Sequence, residues 1–297
     1  MLTYLCPLTL ALFLTTAAFA DGPTPNIIPS DLSTANTAGG SETLQKNTIG
    51  HNNTGIGYYV LRENTEGVMN AAFGAGSLLK NTTGGMNSSY GFSTLMNNTI
   101  GNWNTATGAY AMWQNATGVA NTATGYSSLI GNTTGALNTA SGVESLRENT
   151  AGNANTASGT QALQWNVVGN ENTASGYRAL YHATGSRNIA VGTQAGSALT
   201  VGDHNIYLGH PGVHEESDTI RIGEQQTKVF IAGITAPLSG LPVVVTTSGQ
   251  LGTGPASREE EILRIVEQQA QLIRDLTRRI SQLERRLPLG KSPQAGG

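Results

Sequence analysis

A glycine recurs at a spacing of 17 residues through most of this chain, and an asparagine stands four residues before each of these glycines. The spacing holds from Gly40 to Gly176, shortens once to 16 residues, and returns to 17 up to Gly209. Such self-similarity indicates an array of stacked, nearly identical units rather than one ordinary globular core. The asparagine column includes Asn53, Asn104, Asn121, Asn138 and Asn172, and the glycine column includes Gly57, Gly108, Gly125, Gly142 and Gly176.

Two further columns follow the same spacing. A leucine, or once Met112, lies four residues after each of the first nine glycines, and a second glycine lies ten residues after each of the first eight. In the next repeat this second glycine is Gly185, one position early, which places a single-residue deletion within residues 177–184. Two glycines in every 17 residues oppose a helical repeat. The predicted fold of residues 36–209 is therefore an all-β parallel β-roll or β-solenoid, with two short strands and two tight turns in each coil.

Each column has a physical reason within such a coil. Glycine serves backbone positions that need a positive φ or a close approach between coils. Asparagines stacked coil on coil would form an amide ladder, and the leucines would form one apolar stripe. About eleven coils at the usual strand spacing would make a rod roughly 50 Å long.

The strand pattern Asn-Thr-Ala-x-Gly leaves open which of its two faces is buried. In the last two coils the alternating positions are Ile189 with Val191 and Ile206 with Leu208, and such apolar residues favour burial of this face. In the middle coils the same positions hold hydroxyl residues such as Thr105. If these were buried they would need hydrogen-bond partners, and if exposed they would form a flat threonine array.

Residues 1–20 have the pattern of a cleaved signal peptide. The apolar run Leu8–Leu14 is followed by Ala18-Phe19-Ala20, an A-x-A-type cleavage site. No Lys or Arg precedes the run, so an uncleaved anchor is the alternative, although the run is shorter than the ~20 apolar residues that a span requires. Cleavage would remove Cys6, the only cysteine. Residues 21–35 would then be an N-terminal linker on a secreted or cell-surface protein with no membrane-spanning segment.

After Gly209 the 17-residue spacing is lost, but strand patterns continue. Ile220-Arg221-Ile222 repeats the strand theme, and the apolar runs at 228–234 and 242–246 are typical of strands bounded by Gly and Pro. We predict that residues 210–256 form a small β neck that covers the open end of the stack.

Residues 257–287 are rich in charge and carry apolar residues at heptad spacing. Ser257 and Glu260 form a capping box, and Pro288 ends the helix before a disordered tail at 288–297. The pattern predicts a C-terminal α-helical coiled coil. A single amphipathic helix packed on its own domain is the alternative.

The heptad residues bear on how many chains associate. Ile at position a with Leu at position d leans toward a dimer, whereas Leu263, Ile265 and Leu272 widen the apolar stripe and favour more chains. The segment Arg279–Glu284 resembles a motif of short trimeric coiled coils, in which the arginine and the glutamate pair between helices. We therefore expect a homotrimer. Its predicted contacts are Val266, Ile273, Leu276, Arg279, Ile280, Leu283 and Glu284.

The repeats resemble the heads of YadA-like trimeric autotransporter adhesins. The best matches are Asn188-Ile189-Ala190-Val191-Gly192 and Asn205-Ile206-Tyr207-Leu208-Gly209, and the resemblance covers about residues 36–223. It implies parallel β-rolls joined in threes above a coiled-coil stalk. This repeat is longer than the usual head repeat, and only residues 288–297 follow the helix, where that family has a β-barrel anchor.

A second resemblance concerns the predicted neck. Ile220-Arg221-Ile222-Gly223 and Gly249-Gln250-Leu251-Gly252-Thr253 are similar to the region before the self-cleaving chaperone of phage tail-fibre-like proteins. The chaperone itself is missing, and the helix stands in its place. The resemblance implies that the helix brings three chains into register.

The sequence contains no catalytic constellation, and we expect a protein that is not an enzyme and uses no cofactor. His204, His210 and His214, with Glu215 and Glu216, could offer metal ligands, but their spacing matches no standard zinc pattern, so no metal is predicted. The net charge of -3 provides no basic field, so nucleic acid is not an expected partner.

Residues 81–143 contain no charged residue and no histidine, so a partner recognised there would not be bound through ion pairs. One hypothesis is an adhesin or fibre whose aromatic and amide rows bind a glycan or a host or cell surface, with contacts multiplied by trimerisation. The alternatives are that the rings fill the core or the trimer interface, that the chain is a structural spacer, or that the threonine rows bind ice. The candidate ligand contacts are Tyr90, Trp103, Tyr110, Trp113 and Tyr126.

Overall fold

A computed structural model describes residues 34–228, 243–245, 251–253 and 258–285. The chain divides into two units, residues 1–227 and 228–297. The first unit is a parallel β-solenoid of about eleven coils, as the repeats predict, and the second contains a short β pair and one helix. The predicted signal peptide lies outside the described residues.

Twelve strands of three residues each form one parallel sheet in chain order. Each strand pairs with the corresponding strand of the next coil. The pairing of Thr173 with Ile189 shows that the one interval of 16 residues leaves this register unchanged. The strands are β1 (Thr37–Gly39), β2 (Thr54–Ile56), β3 (Ala71–Phe73), β4 (Ser88–Tyr90), β5 (Thr105–Thr107), β6 (Thr122–Thr124), β7 (Thr139–Ser141), β8 (Thr156–Ser158), β9 (Thr173–Ser175), β10 (Ile189–Val191), β11 (Ile206–Leu208) and β12 (Ile220–Ile222).

Within residues 34–228 each coil contains one strand, and not the two that its length predicted. The rest of the coil consists of turns that donate backbone hydrogen bonds to the next coil, such as Leu95 N to Ala111 O at 3.0 Å. The residues of the leucine column have a left-handed backbone, with φ 50° at Leu95. The residue before each asparagine of the first column also has a left-handed backbone, with φ 59° at Met86. A left-handed residue interrupts an extended strand, so this side of the coil curls.

The interior of the solenoid contains an apolar cluster beside its buried asparagines. The leucine column is buried, as predicted, and the middle residue of most strands is an alanine that belongs to the same buried cluster. Burying one leucine side chain stabilises the fold by about 2 kcal/mol. The stripe consists of Leu44, Leu61, Leu78, Leu95, Met112, Leu129, Leu146, Leu163 and Leu180.

The first asparagine column forms the expected amide ladder inside the stack. Asn121 Nδ2 donates to Asn104 Oδ1 at 3.2 Å and to the carbonyl of Gly135 at 2.8 Å. Asn121 Oδ1 accepts from the backbone N and from Nδ2 of Asn138 at 2.9 and 3.1 Å. Gly135 lies near the end of the coil that Asn121 begins, so this amide closes its own coil and also joins it to both neighbours.

A second asparagine ladder, which the sequence did not lead us to expect, runs beside the first. Asn115 Nδ2 donates to Asn98 Oδ1 at 2.8 Å and to the carbonyl of Gly118 at 3.1 Å. Asn104 of the first ladder donates to the same carbonyl at 2.8 Å. The two ladders therefore share a carbonyl acceptor in such a coil, so that these buried amides donate to groups of the protein itself.

The second ladder ends where the repeat is one residue short. Asn166 is its last member because the next coil has Ala183 in that position, and Asn166 Oδ1 is buried without a hydrogen-bond partner. Thr184 occupies the position that Val167 has in the coil before, and the next residue, Gly185, is already the second glycine of its coil. The missing residue is thus the counterpart of Val168, at the end of the interval that the sequence indicated.

The first glycine of each repeat is required where neighbouring coils approach closely. Gly108 has φ +122°, and a Cβ atom there would lie 2.6 Å from the carbonyl oxygen of Gly125. In the last coil the close approach is absent, because no atom lies within 4 Å of such a Cβ at Gly209, although its φ of +61° still favours glycine.

The second unit contains two further strands and a helix. Strands β13 (Val243–Val245) and β14 (Leu251–Thr253) pair antiparallel, which confirms a strand within 242–246. Helix α1 spans Arg258–Glu284. No helix in the described parts of the chain is long and apolar enough to cross a membrane.

Several predictions for this second unit lie outside the described residues. They concern the strand at 228–234, the capping residue Ser257, Leu287 and the stop at Pro288. The neck function of residues 210–256 stays a prediction.

Candidate binding surfaces

The outward face of the solenoid sheet carries the first and third residues of each strand. The sequence favoured burial of this face because of Ile189 and Val191, and that prediction is wrong. These side chains are 40% and 45% exposed, whereas Ala190 between them is fully buried. Because the leucine column already fills the interior, only a small side chain of the strand fits inside, and the larger ones point outward.

Five consecutive strands, β5 to β9, carry only hydroxyl residues on this outward face. The strands are in register, so the hydroxyl residues form two straight rows without any charged group. All of them are exposed. We refer to them as the hydroxyl face: Thr105, Thr107, Thr122, Thr124, Thr139, Ser141, Thr156, Ser158, Thr173 and Ser175.

The last three strands of the sheet continue the same face with apolar residues. Ile189, Val191, Leu208, Ile220 and Ile222 are all exposed there, and we refer to them as the apolar end. A contiguous exposed apolar patch of this kind is typical of an interaction surface.

The aromatic residues predicted to contact a ligand lie in five different columns, so the structure does not gather them into one site. Tyr90 is the third residue of β4 and stacks on Phe73 with ring centroids 5.0 Å apart. Trp103 and Trp113 each direct Nε1 toward a methionine sulfur of the preceding coil, at 2.8 and 3.2 Å. None of the five side chains belongs to the buried core, so the core-filling alternative is wrong.

One pair of that set, Tyr110 and Tyr126, is in direct contact, and Phe92, which was not among the predicted ligand contacts, packs against the same Tyr110. Tyr110 lies edge-to-face against Phe92 at 5.4 Å and against Tyr126 at 6.1 Å between centroids. Phe92 and Tyr126 each follow the first glycine of their coil, and Tyr110 is the second residue after its glycine. The position of each ring relative to the first glycine of its coil was therefore the sequence signal that could have predicted this contact.

Charged side chains lie over aromatic rings in two places, in the first coils and at Arg178, which lies over Tyr177 and Tyr181. Arg62 pairs with Glu42 at 3.0 Å and lies over the ring of Tyr59 at 4.8 Å. The hydrogen bond with Tyr58, desolvation and the carboxylate of Glu42 raise the pKa of Tyr59 to about 12. Tyr59 is therefore a neutral phenol at physiological pH.

A partly buried polar cluster closes the last coil. Tyr207 stands where other coils have alanine, and its ring fills the space that opens because Gly196 replaces the leucine. The Tyr207 hydroxyl donates to Glu216 at 2.9 Å, and Arg221 pairs with Glu216 at 2.8 Å. Burial opposes the charge of Glu216, but the hydrogen bonds from Arg221 and Tyr207 lower its pKa overall. Burial and the bond to Glu216 raise the pKa of Tyr207.

The histidines predicted as possible metal ligands do not converge. His204 faces Asp218 at 3.7 Å, and His214 faces Glu215 at 3.4 Å. His210 accepts a backbone N–H group of its own turn. Across the described residues, no three His, Cys, Asp or Glu side chains are grouped so that they could hold a metal ion.

Helix α1 presents exposed apolar side chains at heptad spacing. Arg279 is exposed beside them, while the side chains of residues 258–264 and of Glu284 lie outside the described part. A helix with such a stripe is typical of association with further helices. The exposed residues of the stripe are Val266, Ile273, Leu276, Ile280 and Leu283.

The molecule thus belongs to the parallel β-solenoids by its fold. Neither a protein-family model, nor a curated protein, nor a solved structure matches the chain. The similarity to YadA-like heads stays a prediction.

Proposed function

We propose that this chain is an exported, trimeric, fibre-like surface protein, in which the solenoid is a rigid binding rod and α1 joins three copies. The observation that carries the proposal is the exposed apolar stripe of α1. Association through this stripe would remove its apolar area from water. It would also place three solenoids together, so that weak contacts with a repetitive ligand add up.

Two features support three chains rather than two. Ile265 and Leu272 are exposed next to the stripe and widen it beyond what a two-stranded seam covers. The segment Arg279–Glu284 has the spacing with which arginine and glutamate pair between the helices of short trimers. The apolar end of the solenoid is a further area that contact between copies would bury.

The solenoid itself suits the recognition of an uncharged surface. Six of the ten residues of its hydroxyl face, together with the aromatic residues from Tyr90 to Tyr126, lie within residues 81–143, which carry no charge. Recognition there would depend on hydrogen bonds and stacking, and it would therefore be insensitive to salt. This is the basis for proposing adhesion to a glycan or cell surface rather than to an ionic partner.

The test is the mass of the chain in solution, measured by light scattering. The parent chain is expected at three times its monomer mass. Ile273→Asp with Ile280→Asp places charges on the stripe and is expected to give the monomer. Gln268→Asp with Gln282→Asp adds the same charges at outward heptad positions and is expected to stay trimeric. A monomeric parent chain would overturn the proposal.

The hydroxyl face favours a second candidate, which is ice binding by a single chain. Threonine rows on strands about 4.8 Å apart present a flat and regular lattice of hydroxyl and methyl groups. The measurement is thermal hysteresis of the parent chain and of Thr122→Lys with Thr139→Lys, which breaks the lattice without touching α1. A trimer that shows no hysteresis would reject this candidate and leave the first.

A further inference from the structure

Aromatic residues recur at every second coil along one corner of the solenoid. Tyr58, Phe92 and Tyr126 each follow the first glycine of their coil, and we refer to these three residues as the aromatic row. Ala75 and Ala109 occupy the same position in the coils between them. The three rings are 49%, 52% and 52% exposed, so the row is open to a ligand.

Backbone hydrogen bonds set the spacing of this row. Gly76 N donates to Tyr58 O at 2.8 Å, and Tyr110 N donates to Phe92 O at 3.0 Å. The alanine coils are joined at the same corner in the same way. Coils that are hydrogen-bonded like neighbouring strands lie about 4.8 Å apart, so successive rings are about 9.6 Å apart along the axis. An alanine occupies this position between each pair of rings, and the ring of Tyr110 lies between Phe92 and Tyr126.

Two tyrosines next to the row support it. Tyr110 contacts both Phe92 and Tyr126 edge-to-face, and Tyr59 lies against Tyr58 with centroids 3.8 Å apart. Both supporting tyrosines have φ 59°, and the same position of other coils has a similar positive φ whichever residue occupies it. The turn of the solenoid therefore sets this conformation, and the two tyrosines act on the row through the contacts of their rings.

The middle of the row is the least charged part of it, because Phe92 lies well inside the uncharged segment 81–143. Charged residues come near at its two ends: Arg62 lies over Tyr59, which contacts Tyr58, and Glu144 of the next coil donates its backbone N–H group to the carbonyl of Tyr126. Tyr126 follows the exposed Thr124 by two residues, so the hydroxyl face borders the row at Tyr126, whereas Ile56 and Tyr90 occupy this place before Tyr58 and Phe92. Flat rings beside hydroxyl groups suit a sugar, whose C–H face packs on an aromatic ring while its hydroxyl groups form hydrogen bonds.

We propose that the aromatic row binds a neutral, extended, β-1,4-linked polysaccharide that lies along the solenoid axis. In such a chain alternate sugars are turned over, so that the same sugar face recurs once per disaccharide. One disaccharide is about as long as two coils, at about 9.6 Å. Every second sugar can therefore stack on one ring of the row. The inference rests on the proposed surface-binding function and names its ligand class.

The experiment is sedimentation of the full chain with microcrystalline cellulose and with chitin, and with starch granules, in which the glucose chain is α-linked and coiled. Binding is expected on the two β-1,4-linked solids and not on starch. Each ring removed, in Phe92→Ala and in Tyr126→Ala, is expected to weaken binding about three- to tenfold. The matched control is Tyr177→Ala, which removes an exposed ring of the same column that lies out of the two-coil spacing.

A second variant separates spacing from aromatic content. Phe92→Ala combined with Ala109→Phe keeps the number of rings but moves one ring by a coil, and it is expected to bind as weakly as Phe92→Ala alone. Circular dichroism confirms that each variant is folded. Equal binding to starch, no binding to either β-1,4-linked solid, or full binding by the shifted variant would overturn the inference.

Light scattering on the same samples keeps this inference apart from the proposed trimer. A trimer that binds neither cellulose nor chitin overturns the polysaccharide while the trimeric fibre stands. A monomer that binds both supports the polysaccharide and overturns the trimer.

Discussion

Replacement of Asn121 by alanine tests what the asparagine ladder contributes to stability. The substitution removes four hydrogen bonds, two donated by Nδ2 and two accepted by Oδ1. At about 1 kcal/mol each, these come to about 4 kcal/mol of unfolding free energy. The carbonyl of Gly135 keeps a second donor in Asn132, whereas the backbone N–H of Asn138 loses its acceptor in the interior. Because this N–H group would be buried without a partner, about 4 kcal/mol is a lower limit for the loss.

Urea unfolding followed by circular dichroism measures this loss at one fixed protein concentration, because self-association would couple stability to concentration. The control is Thr122→Ala, one residue away on the hydroxyl face, where the loss is expected to stay below about 0.5 kcal/mol. Coils contact only their neighbours, so hydrogen exchange is expected to quicken first in the coils next to Asn121.

A loss below about 1 kcal/mol for Asn121→Ala would refute this reasoning, because four net hydrogen bonds should exceed that value together. It would mean that the side-chain amides are exchanged for water at little cost. A loss equal to that of Thr122→Ala would lead to the same conclusion from the control.

Two further predictions concern the close approach of coils and the cap. Gly108→Ala is expected to prevent native packing, because the new Cβ would lie 2.6 Å from a carbonyl oxygen of the next coil. Gly209→Ala has open space around the new Cβ and should keep the fold. Thermal unfolding is the measurement, and the midpoint is expected to fall much further for Gly108→Ala than for Gly209→Ala. For Glu216 the hydrogen bonds from Arg221 and Tyr207 lower the carboxyl pKa from its ordinary 4.5. Because the folded pKa is lowered, this stabilisation is present above pH 4.5 and is lost as the pH falls through the folded value, so the parent chain should lose stability there. Glu216→Gln should be less stable at neutral pH and should lack this acid dependence, and a Glu216→Gln variant with the acid dependence of the parent would contradict the assignment.

The repeat predicted those features that depend on one coil lying in register on another. The leucine stripe, the first amide ladder and the need for glycine at positions such as Gly108 follow from identical residues that stack at one strand spacing. The second ladder was equally regular in the sequence. It was missed because an Asn-Thr pair before a glycine is also a common turn signal, which needs no buried partner.

The face of the strand that is buried did not follow from the pattern. Alternation shows that Ile189 and Val191 share one face and that Ala190 lies on the other, but it does not show which face points inward. The volume that remains beside the leucine column decides this. That volume accommodates the alanine, whereas hydrophobicity alone would place Ile189 and Val191 inside.

The amino-acid sequence on its own determined that the chain is a repetitive β-solenoid with a helix near its C-terminus, because the repeat length, the paired glycines and the heptads are local and periodic. The tertiary structure decided what the solenoid exposes. The second half of the coil curls because Leu95 and its counterparts are left-handed, which no propensity predicts for leucine. The same folding of each turn brings Tyr110 between Phe92 and Tyr126, while Trp103 and Trp113 are carried to other corners. Proximity across coils depends on the place of a residue within its turn, and only the folded backbone sets that place.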